Sequence, residues 1–215
     1  MSRQPGFKSV PRFFVFILLL FIPFIAGAKA GFFIDAALSG RQAFPDKSGA
    51  SLLWGLMLSA ACAPFLAKLT KTEFKPASDI IAVSLSIALF FTRLGCLFNG
   101  CCIGKPAPET FIAPVYYPYG SYADTVSGSS AFYPYQLFES LIWLFIFFFL
   151  LILRRKKLLT GLHMLIIASI YLPLRFIAEF SRYNDGSFPL TTGQFVSAAL
   201  FIAVILLLFR QLKTK

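Results

Sequence analysis

The chain has 215 residues, of which 58% are hydrophobic and only 13% are charged. So apolar a composition excludes an ordinary soluble domain and is typical of an integral membrane protein. The net charge of +11 does not indicate nucleic acid, because the basic residues stand in clusters between apolar runs, where anionic lipid is the expected partner. The four cysteines are too few for a disulfide scaffold in a chain of this length.

Six apolar runs predict six transmembrane helices. The third run contains a single charged residue, Arg93, the fourth contains only Glu139, and the other four are uncharged. In chain order the runs are residues 13–28, 50–67, 80–104, 136–153, 158–174 and 191–209. We therefore predict an all-α, polytopic membrane helix bundle that forms a single domain over residues 1–215.

Lysines and arginines predict the orientation of these helices. Most of the 20 basic residues lie at the two ends of the chain and in the connections after the second and fourth runs. Both termini are therefore expected in the cytoplasm, and the cysteine-rich end of the third run at the outer membrane surface. The first run also resembles a secretory signal peptide, with basic residues before it and Ala26-Gly27-Ala28 at its end, so its cleavage stays open.

The segment 105–135 is the longest connection on the side assigned to the exterior. It contains six tyrosines and five prolines. Tyrosine rings suit the lipid headgroup layer, because the body of the ring is apolar and its hydroxyl is polar. The segment is thus either an aromatic belt or a proline-stiffened extracytoplasmic flap that shapes the access of a lipid headgroup.

Three charged residues recur at helical spacing around the end of the fifth run: Arg175, Glu179 and Arg182. Spacings of four and three place them on one helix face. They form either an internal ion pair that reaches the membrane interface or, with Arg93, a clamp for a phosphate group, since guanidinium forks bind phosphate oxygens in two-pronged fashion. The clamp predicts that Arg93 and Arg175 lie close together at the outer face.

Three cysteines follow Arg93 closely: Cys96, Cys101 and Cys102. They admit a disulfide in an oxidising outer compartment or a reactive thiolate, because a neighbouring arginine favours the charged form of a thiol. A metal site is disfavoured because no histidine is near, and neither a metal nor an organic cofactor is implied. His163 and Cys62 lie within apolar runs and are predicted to be packed core residues.

These residues resemble the signature of a known family. The segment from Arg93 through Asn99 and Gly100 to Gly104 is similar to the signature helix of the prolipoprotein diacylglyceryl transferases. Three further segments resemble that family in the same chain order: residues 133–139, 174–182 and 192–195. The resemblance extends over roughly residues 27–212 and implies a transferase of lipoprotein biosynthesis in the bacterial plasma (inner) membrane.

The resemblance also implies a reaction and a set of site residues. The family moves a diacylglyceryl group from phosphatidylglycerol, or a related anionic lipid, to the cysteine thiol of a pre-lipoprotein, and glycerol phosphate leaves. Arg93 and Arg175 would hold the phosphate and stabilise its developing charge. A separate hypothesis, which the resemblance does not imply, makes Cys101 or Cys102 catalytic, with alkylation of one of them as an intermediate. The residues expected to bind substrate are Cys96, Asn99, Gly100, Gly104, Gln136, Glu139, Glu179 and Arg182.

The sequence departs from the family pattern at three positions. Cys96 stands where the family has an asparagine, Cys101 stands where it has a glutamate, and the position of the family's histidine holds Leu53. The chain therefore resembles a divergent, cysteine-bearing branch whose acceptor the sequence does not identify.

Two rival hypotheses lack transferase activity. In one, the three cysteines form the thiol–disulfide element of a membrane protein. In the other, Arg93 and Arg175 bind anions in a transporter whose helices are broken at Pro23, Pro64 or Pro173. A thiol count under oxidising and reducing conditions tests the first hypothesis, and anion uptake into liposomes tests the second.

Overall fold

The computed structural model describes residues 10–38, 51–108, 110–121, 123, 131–183 and 191–213. The chain divides into two compact units, Met1–Ser78 and Asp79–Lys215. The division falls within the first turns of the third helix. The single domain over residues 1–215 stays a prediction.

Two long helices make up most of the first unit: α1 (Val10–Leu38) and α2 (Leu52–Leu69). They approach closely because small residues lie at their contact. A Cβ atom added at Gly31 would lie 2.2 Å from the Cβ of Trp54, and one added at Gly27 would lie 2.7 Å from the Trp54 carbonyl oxygen. A larger side chain at either glycine would force the two helices apart.

The second unit contains most of α3 (Phe74–Asn99), together with α4 (Tyr135–Arg155), α5 (His163–Ala178) and α6 (Thr192–Lys213). A short 3₁₀ turn, Glu179–Ser181, continues α5. One face of α4 is buried along its whole length at helical spacing. Its buried residues are Tyr135, Gln136, Glu139, Ser140, Trp143, Ile146, Leu150 and Leu153. The polar residues of this buried face lie in the first two turns of α4, where charged side chains of the neighbouring helices contact it.

A two-stranded antiparallel sheet lies in the segment predicted as a flap. Its strands are β1 (Val115–Tyr116) and β2 (Ala131–Phe132). Phe132 is buried with Ile103 in a small apolar cluster, and its ring meets that of Tyr117 edge to face, with centroids 5.6 Å apart. The flap is thereby anchored on the connection that follows α3. Residues 109, 122 and 124–130 of the predicted flap lie outside the described residues.

The part of the chain that the structure describes contains six helices long and apolar enough to cross a membrane. This confirms the predicted helical membrane architecture, to which the small sheet is the one addition among the described residues. The orientation of the termini stays a prediction. The helices run on through Pro23, Pro64 and Pro173, so the breaks expected of a transporter do not form there. Helices in an apolar environment tolerate proline, because neighbouring groups form hydrogen bonds with the backbone groups that proline leaves without their helical partners.

Two helix boundaries differ from the predicted runs. α1 continues to Leu38, beyond the predicted end at residue 28, because the charge of Lys29 ends the uncharged run without ending the helix-forming sequence. α5 begins at His163, after the predicted start at residue 158. Leu159 and Gly161 take left-handed backbone conformations, with φ of 52° and 80°, and this turn delays the helix.

Candidate functional site

The first two turns of α4 hold three polar side chains that are almost fully buried: Tyr135, Gln136 and Glu139, exposed at 1%, 0% and 1%. Tyr135 and Glu139 are four residues apart and therefore share a helix face. An ionised carboxylate within a membrane helix is costly unless a cation compensates it. The neighbouring helices supply such cations.

Arg93, near the end of α3, pairs with Glu139. Its Nη2 donates to Oε1 at 2.9 Å, and its Nε lies 2.9 Å from Oε2, so the guanidinium fork faces both carboxylate oxygens. The Tyr171 hydroxyl of α5 donates to the same Oε1 at 2.6 Å, and its ring packs on Trp143 with centroids 4.2 Å apart. Three helices therefore fix the position of this carboxylate.

Arg175, near the end of α5, contacts two groups. Its Nη1 lies 2.6 Å from Oε2 of Glu179, one turn later, and donates to the Tyr135 hydroxyl. Nη1 of Arg182 donates to the other oxygen of Glu179 at 3.3 Å. Glu179 thus lies between two guanidinium groups, as the spacings of four and three predict.

The two arginines of the predicted clamp approach one face of α4. Arg93 contacts Glu139 and Arg175 contacts Tyr135, and these partners are one helical turn apart, or about 5 to 6 Å. Glu139 also interacts electrostatically with both guanidinium groups. The structure therefore brings Arg93 and Arg175 together, each already engaged by a carboxylate. We call the following residues the arginine cluster: Arg93, Tyr135, Glu139, Tyr171, Arg175, Glu179 and Arg182.

The arginine cluster contains more positive than negative groups. Its guanidinium groups, at Arg93, Arg175 and Arg182, stay protonated at any relevant pH and face the carboxylates of Glu139 and Glu179. Counted without the neighbouring thiols, the guanidinium groups exceed the carboxylates by one positive charge. The side chains of Arg93 and Arg175 are 11% and 10% exposed and that of Arg182 is 33% exposed. A charge with little access to water is stabilised when an anion binds beside it. The cluster therefore has the charge and the hydrogen-bond donors to hold one monoanionic group.

The cysteines follow a helix cap that sets the course of their segment. The N–H groups of Gly100 and Cys101 donate to the carbonyl oxygens of Leu97 and Cys96 at 3.3 and 3.2 Å, and Gly100 has a φ of 66°. This is the Schellman pattern, which favours glycine at that position. Cys102 then takes a φ of 54°, which costs a residue with a Cβ atom about 1 kcal/mol. The turn ends α3 before the predicted end of the third apolar run. The cysteine segment that follows then turns back beside the helix.

The thiols of Cys96, Cys101 and Cys102 gather as a result. Their three Sγ atoms all lie within 4.8 Å of one another, and none is in a disulfide. A hydrogen bond from Cys96 lowers the pKa of Cys102 to about 5, against the opposing effect of burial, and the charges of Arg182 and Arg93 lower it further. The thiolate form, one of the two alternatives that the sequence leaves open, is thus favoured at Cys102.

Gln136 attaches the cysteine segment to α4. Its Nε2 donates to the Cys101 carbonyl oxygen and to the Tyr117 hydroxyl, each at 2.8 Å. Among the described residues no donor reaches its buried Oε1 atom, which leaves the amide oxygen able to accept a hydrogen bond from a ligand. Burial raises the pKa of Tyr117, so that its hydroxyl stays protonated.

The chain matches the model of a family described as prolipoprotein diacylglyceryl transferase over residues 3–210. It belongs to this family. It is 31% identical to the phosphatidylglycerol–prolipoprotein diacylglyceryl transferase 2 of Clostridium perfringens, over 96% of this chain and 81% of the relative. Identity is 28% to the corresponding transferase of Idiomarina loihiensis, over 90% of this chain and 74% of the relative. It is 26% to that of Aliarcobacter butzleri, over 88% of this chain and 60% of the relative.

Besides Cys96 and Gln136, three residues that the resemblance to the diacylglyceryl transferases assigned to substrate lie outside the arginine cluster. Gly104 lets two backbone segments approach, since a Cβ atom there would lie 2.4 Å from the Tyr133 carbonyl oxygen. Gly100 provides the left-handed cap of α3. Asn99, the last residue of α3, has an exposed side chain. Backbone geometry accounts for both glycines, and a role of the three in substrate binding stays a prediction.

Two tyrosines join the arginine cluster without being predicted as site residues of the transferase. Tyr135 belongs by sequence to the tyrosine-rich flap, and Tyr171 lies within an uncharged run. Each stands four residues before a charged residue, Glu139 and Arg175 respectively. This spacing places each tyrosine on the same helix face as a charged residue. From there each hydroxyl contacts the charged residue of the other helix, that of Tyr135 contacting Arg175 and that of Tyr171 contacting Glu139.

A third buried carboxylate lies far from the arginine cluster, near the start of α3. Asp79 accepts the N–H groups of Gly161 and His163 at 2.6 and 3.1 Å and lies 3.5 Å from Nδ1 of His163. His163 is 1% exposed, which confirms it as a packed residue. Fourteen helical residues separate Asp79 from Arg93, or about 21 Å along α3. We call Asp79, Gly161 and His163 the Asp79 cap, because they close the start of α5.

Proposed function

We propose that this protein transfers the diacylglyceryl group of phosphatidylglycerol to a cysteine thiol of a pre-lipoprotein. The observation that carries the proposal is the single excess positive charge of the arginine cluster, held at one end of apolar helices. The phosphodiester of phosphatidylglycerol carries one negative charge, and its acyl chains suit the surrounding apolar surface. Membership of the family, whose relatives are named for this lipid and for prolipoprotein, supports the same substrates.

The reaction places the largest demand on the phosphate group. The acceptor sulfur, as a thiolate, attacks the glyceryl carbon that bears the phosphate ester. The carbon–sulfur bond forms, the carbon–oxygen bond breaks, and its electron pair leaves on glycerol phosphate. Because the leaving group gains negative charge along this path, guanidinium groups beside it stabilise the transition state more than the bound lipid.

Arg175 is the residue with donors to spare. Both of its contacts in the described part of the chain use Nη1, so we assign its Nε and Nη2 to the phosphate oxygens. Arg93 is bound by Glu139 through Nη2 and Nε. Arg93 therefore contributes its positive charge at the same face of α4 as Arg175, and its ion pair with Glu139 fixes its position.

The proposal includes the sidedness of the protein. With both termini in the cytoplasm, the arginine cluster lies at the outer face of the bacterial plasma membrane, where a pre-lipoprotein presents its cysteine. The flap carries exposed rings at Tyr116 and Tyr119, 63% and 98% accessible. Rings of this kind are stable at the level of the lipid headgroups. They would hold the flap at the surface where lipid and acceptor meet.

Catalysis by Cys101 or Cys102 through a covalent intermediate is a separate part of the hypothesis. An intermediate of this kind adds the mass of the diacylglyceryl group to the peptide that contains both cysteines when the protein is incubated with phosphatidylglycerol alone. Mass spectrometry of that peptide detects the adduct. An unmodified peptide, in protein that transfers the group to an acceptor, excludes the covalent route.

The transferase is tested with purified protein in detergent, a cysteine-containing lipobox peptide, and phosphatidylglycerol labelled separately in its acyl chains and its headgroup. We expect acyl label on the peptide through a thioether and headgroup label in soluble glycerol phosphate. Phosphatidylethanolamine, whose phosphodiester is balanced by an amine, is the matched donor control. No product from phosphatidylglycerol would contradict the proposal, and so would anion uptake into liposomes with unchanged lipid.

A further inference from the structure

The three thiols beside the arginine cluster are arranged like the ligands of a metal ion. We propose that Cys96, Cys101 and Cys102 bind one zinc ion and leave its fourth position open for the thiol of the acceptor. The inference rests on the proposed function, because that acceptor is the molecule the transferase modifies. It also revises the expectation from sequence, which discounted a metal because no histidine is near.

The distances between the sulfur atoms suit zinc. Zinc–sulfur bonds of about 2.3 Å hold the sulfurs of a tetrahedral site roughly 3.8 Å apart. The three Sγ atoms of this protein already lie within 4.8 Å of one another, so side-chain rotations that move each sulfur by less than about 1 Å complete the site. Three protein ligands and one open position are the arrangement of catalytic zinc sites, whereas structural sites have four protein ligands.

The backbone that carries the thiols is held in place. Gly100 and Cys102 both take left-handed conformations, and the fully buried Gln136 binds the Cys101 carbonyl oxygen at 2.8 Å. A non-glycine residue keeps such a conformation only where its surroundings determine it, and such residues concentrate at functional sites. Here the conformation brings two adjacent cysteines towards the Sγ of Cys96.

Nearby cations also lower the cost of bringing negative sulfurs together. A metal site needs its cysteines deprotonated, and gathering negative sulfurs in a partly buried place is unfavourable without nearby cations. The guanidinium groups of Arg182 and Arg93 interact with Cys102 and lower this cost.

An open zinc position gives the transfer its nucleophile. A thiol that coordinates zinc loses its proton, which passes to water, and the metal holds the resulting thiolate. That sulfur attacks the glyceryl carbon, and the phosphate leaves with the electron pair towards Arg175. Zinc keeps its oxidation state, and the thioether product is a weaker ligand that dissociates. A covalent intermediate on Cys101 or Cys102 is less suited to the transfer. The acceptor thiol would then have to displace a thioether, whose sulfur leaves poorly unless it is first activated.

Metal binding is tested on the full chain in detergent. We expect about one zinc ion per chain by elemental analysis and, after exchange for cobalt, a strong thiolate-to-cobalt charge-transfer absorption. Cys96→Ser, Cys101→Ser and Cys102→Ser should each weaken this absorption severalfold. Cys62→Ser is the matched control, since Cys62 is a half-buried thiol of α2 outside the group. Absence of bound metal, or an unchanged spectrum in folded Cys101→Ser protein, would overturn the site.

The open position is tested by adding a peptide to the cobalt-loaded protein. A cysteine lipobox peptide should shift the charge-transfer absorption, and the same peptide with serine should not. If the cysteine peptide has no effect, the open position is wrong. Transfer by metal-free protein would overturn the activating role of zinc while leaving the transferase intact. Metal-loaded protein that binds the peptide and transfers nothing would keep the site and refute the proposed function.

Discussion

The second unit buries a carboxylate near each end of α3, and the two are satisfied in different ways. Asp79 accepts two backbone N–H groups from the start of α5. Glu139 accepts its hydrogen bonds from the side chains of Arg93 and Tyr171, which belong to two other helices. The Asp79 cap thus joins one side chain of α3 to a single turn before α5, whereas the arginine cluster depends on side chains from three helices.

The difference separates a structural group from the binding site proposed above. The backbone donors of the Asp79 cap are fixed by the turn before α5 and hold one carboxylate in place. At the arginine cluster the side chains of Arg93, Arg175 and Arg182 bring more positive charge than Glu139 and Glu179 neutralise. A carboxylate held by backbone hydrogen bonds stabilises a fold, and ionisable groups that converge from several helices indicate a place for a ligand.

Replacing the guanidinium forks should have the largest effect. In Arg175→Lys and Arg93→Lys the positive charge remains, but an ammonium group cannot contact two phosphate oxygens in a plane. We expect the rate of transfer to the lipobox peptide to fall by about 100-fold, as when one donor to a developing anion is lost. Arg154→Lys, at the exposed end of α4, should keep its rate. Activity within threefold of the unmodified protein in Arg175→Lys would remove the phosphate clamp.

Removing the carboxylate of Glu139, which pairs with Arg93, should have the second-largest effect, and mainly on stability. Glu139→Gln leaves a guanidinium buried without its anion, which lowers the free energy of unfolding by about 3 kcal/mol. Because the variant carries a second excess positive charge, phosphatidylglycerol should raise its melting temperature more than that of the unmodified protein. Thermal unfolding in detergent with and without the lipid measures both effects. Equal shifts in the two proteins would show that the lipid phosphate does not bind at this cluster.

The hydroxyl of Tyr171 should matter less. Tyr171→Phe keeps the ring packed on Trp143 and removes one hydrogen bond to a charged acceptor, which contributes about 1.5 to 3 kcal/mol. The melting temperature should fall, and the transfer rate should drop about tenfold as Glu139 and Arg93 lose their alignment. Phosphatidylglycerol affinity and rate, measured separately, distinguish a positioning role from loss of lipid binding. No change in rate would confine Tyr171 to packing.

Much of this site could be predicted from the sequence, because its signals are local. A single arginine in an apolar run indicates a functional position in a membrane helix, and this identifies Arg93. The spacing of Arg175, Glu179 and Arg182 predicts their mutual contacts, which the structure contains. Hydropathy alone gives the number of helices.

The remaining features depend on contacts that no local pattern encodes. Glu139 pairs with Arg93 across 46 residues of sequence, and composition gives no reason to prefer it over another acid. The grouping of the thiols depends on the left-handed backbone at Cys102, a conformation that a cysteine rarely adopts and that spacing therefore cannot predict. Gly100 lies inside the predicted run 80–104, but glycine is typical of the residue that follows the last turn of a helix, and this signal agrees with the observed end of α3 at Asn99.

The Asp79 cap should show the smallest effect on activity and so provides the sharpest test of the comparison. Asp79→Asn keeps the shape of the side chain but removes the charge that accepts the N–H groups of Gly161 and His163. We expect the free energy of unfolding to fall by about 1 to 2 kcal/mol, and the transfer rate per folded molecule to stay within twofold, because the cap lies about 21 Å along α3 from Arg93. His163→Ala should behave alike.

Thermal unfolding and transfer assays on the same preparations separate the free energy of unfolding from the transfer rate. A tenfold loss of rate in folded Asp79→Asn would mean that the two ends of the unit are coupled, and that the cap takes part in function as well as in structure.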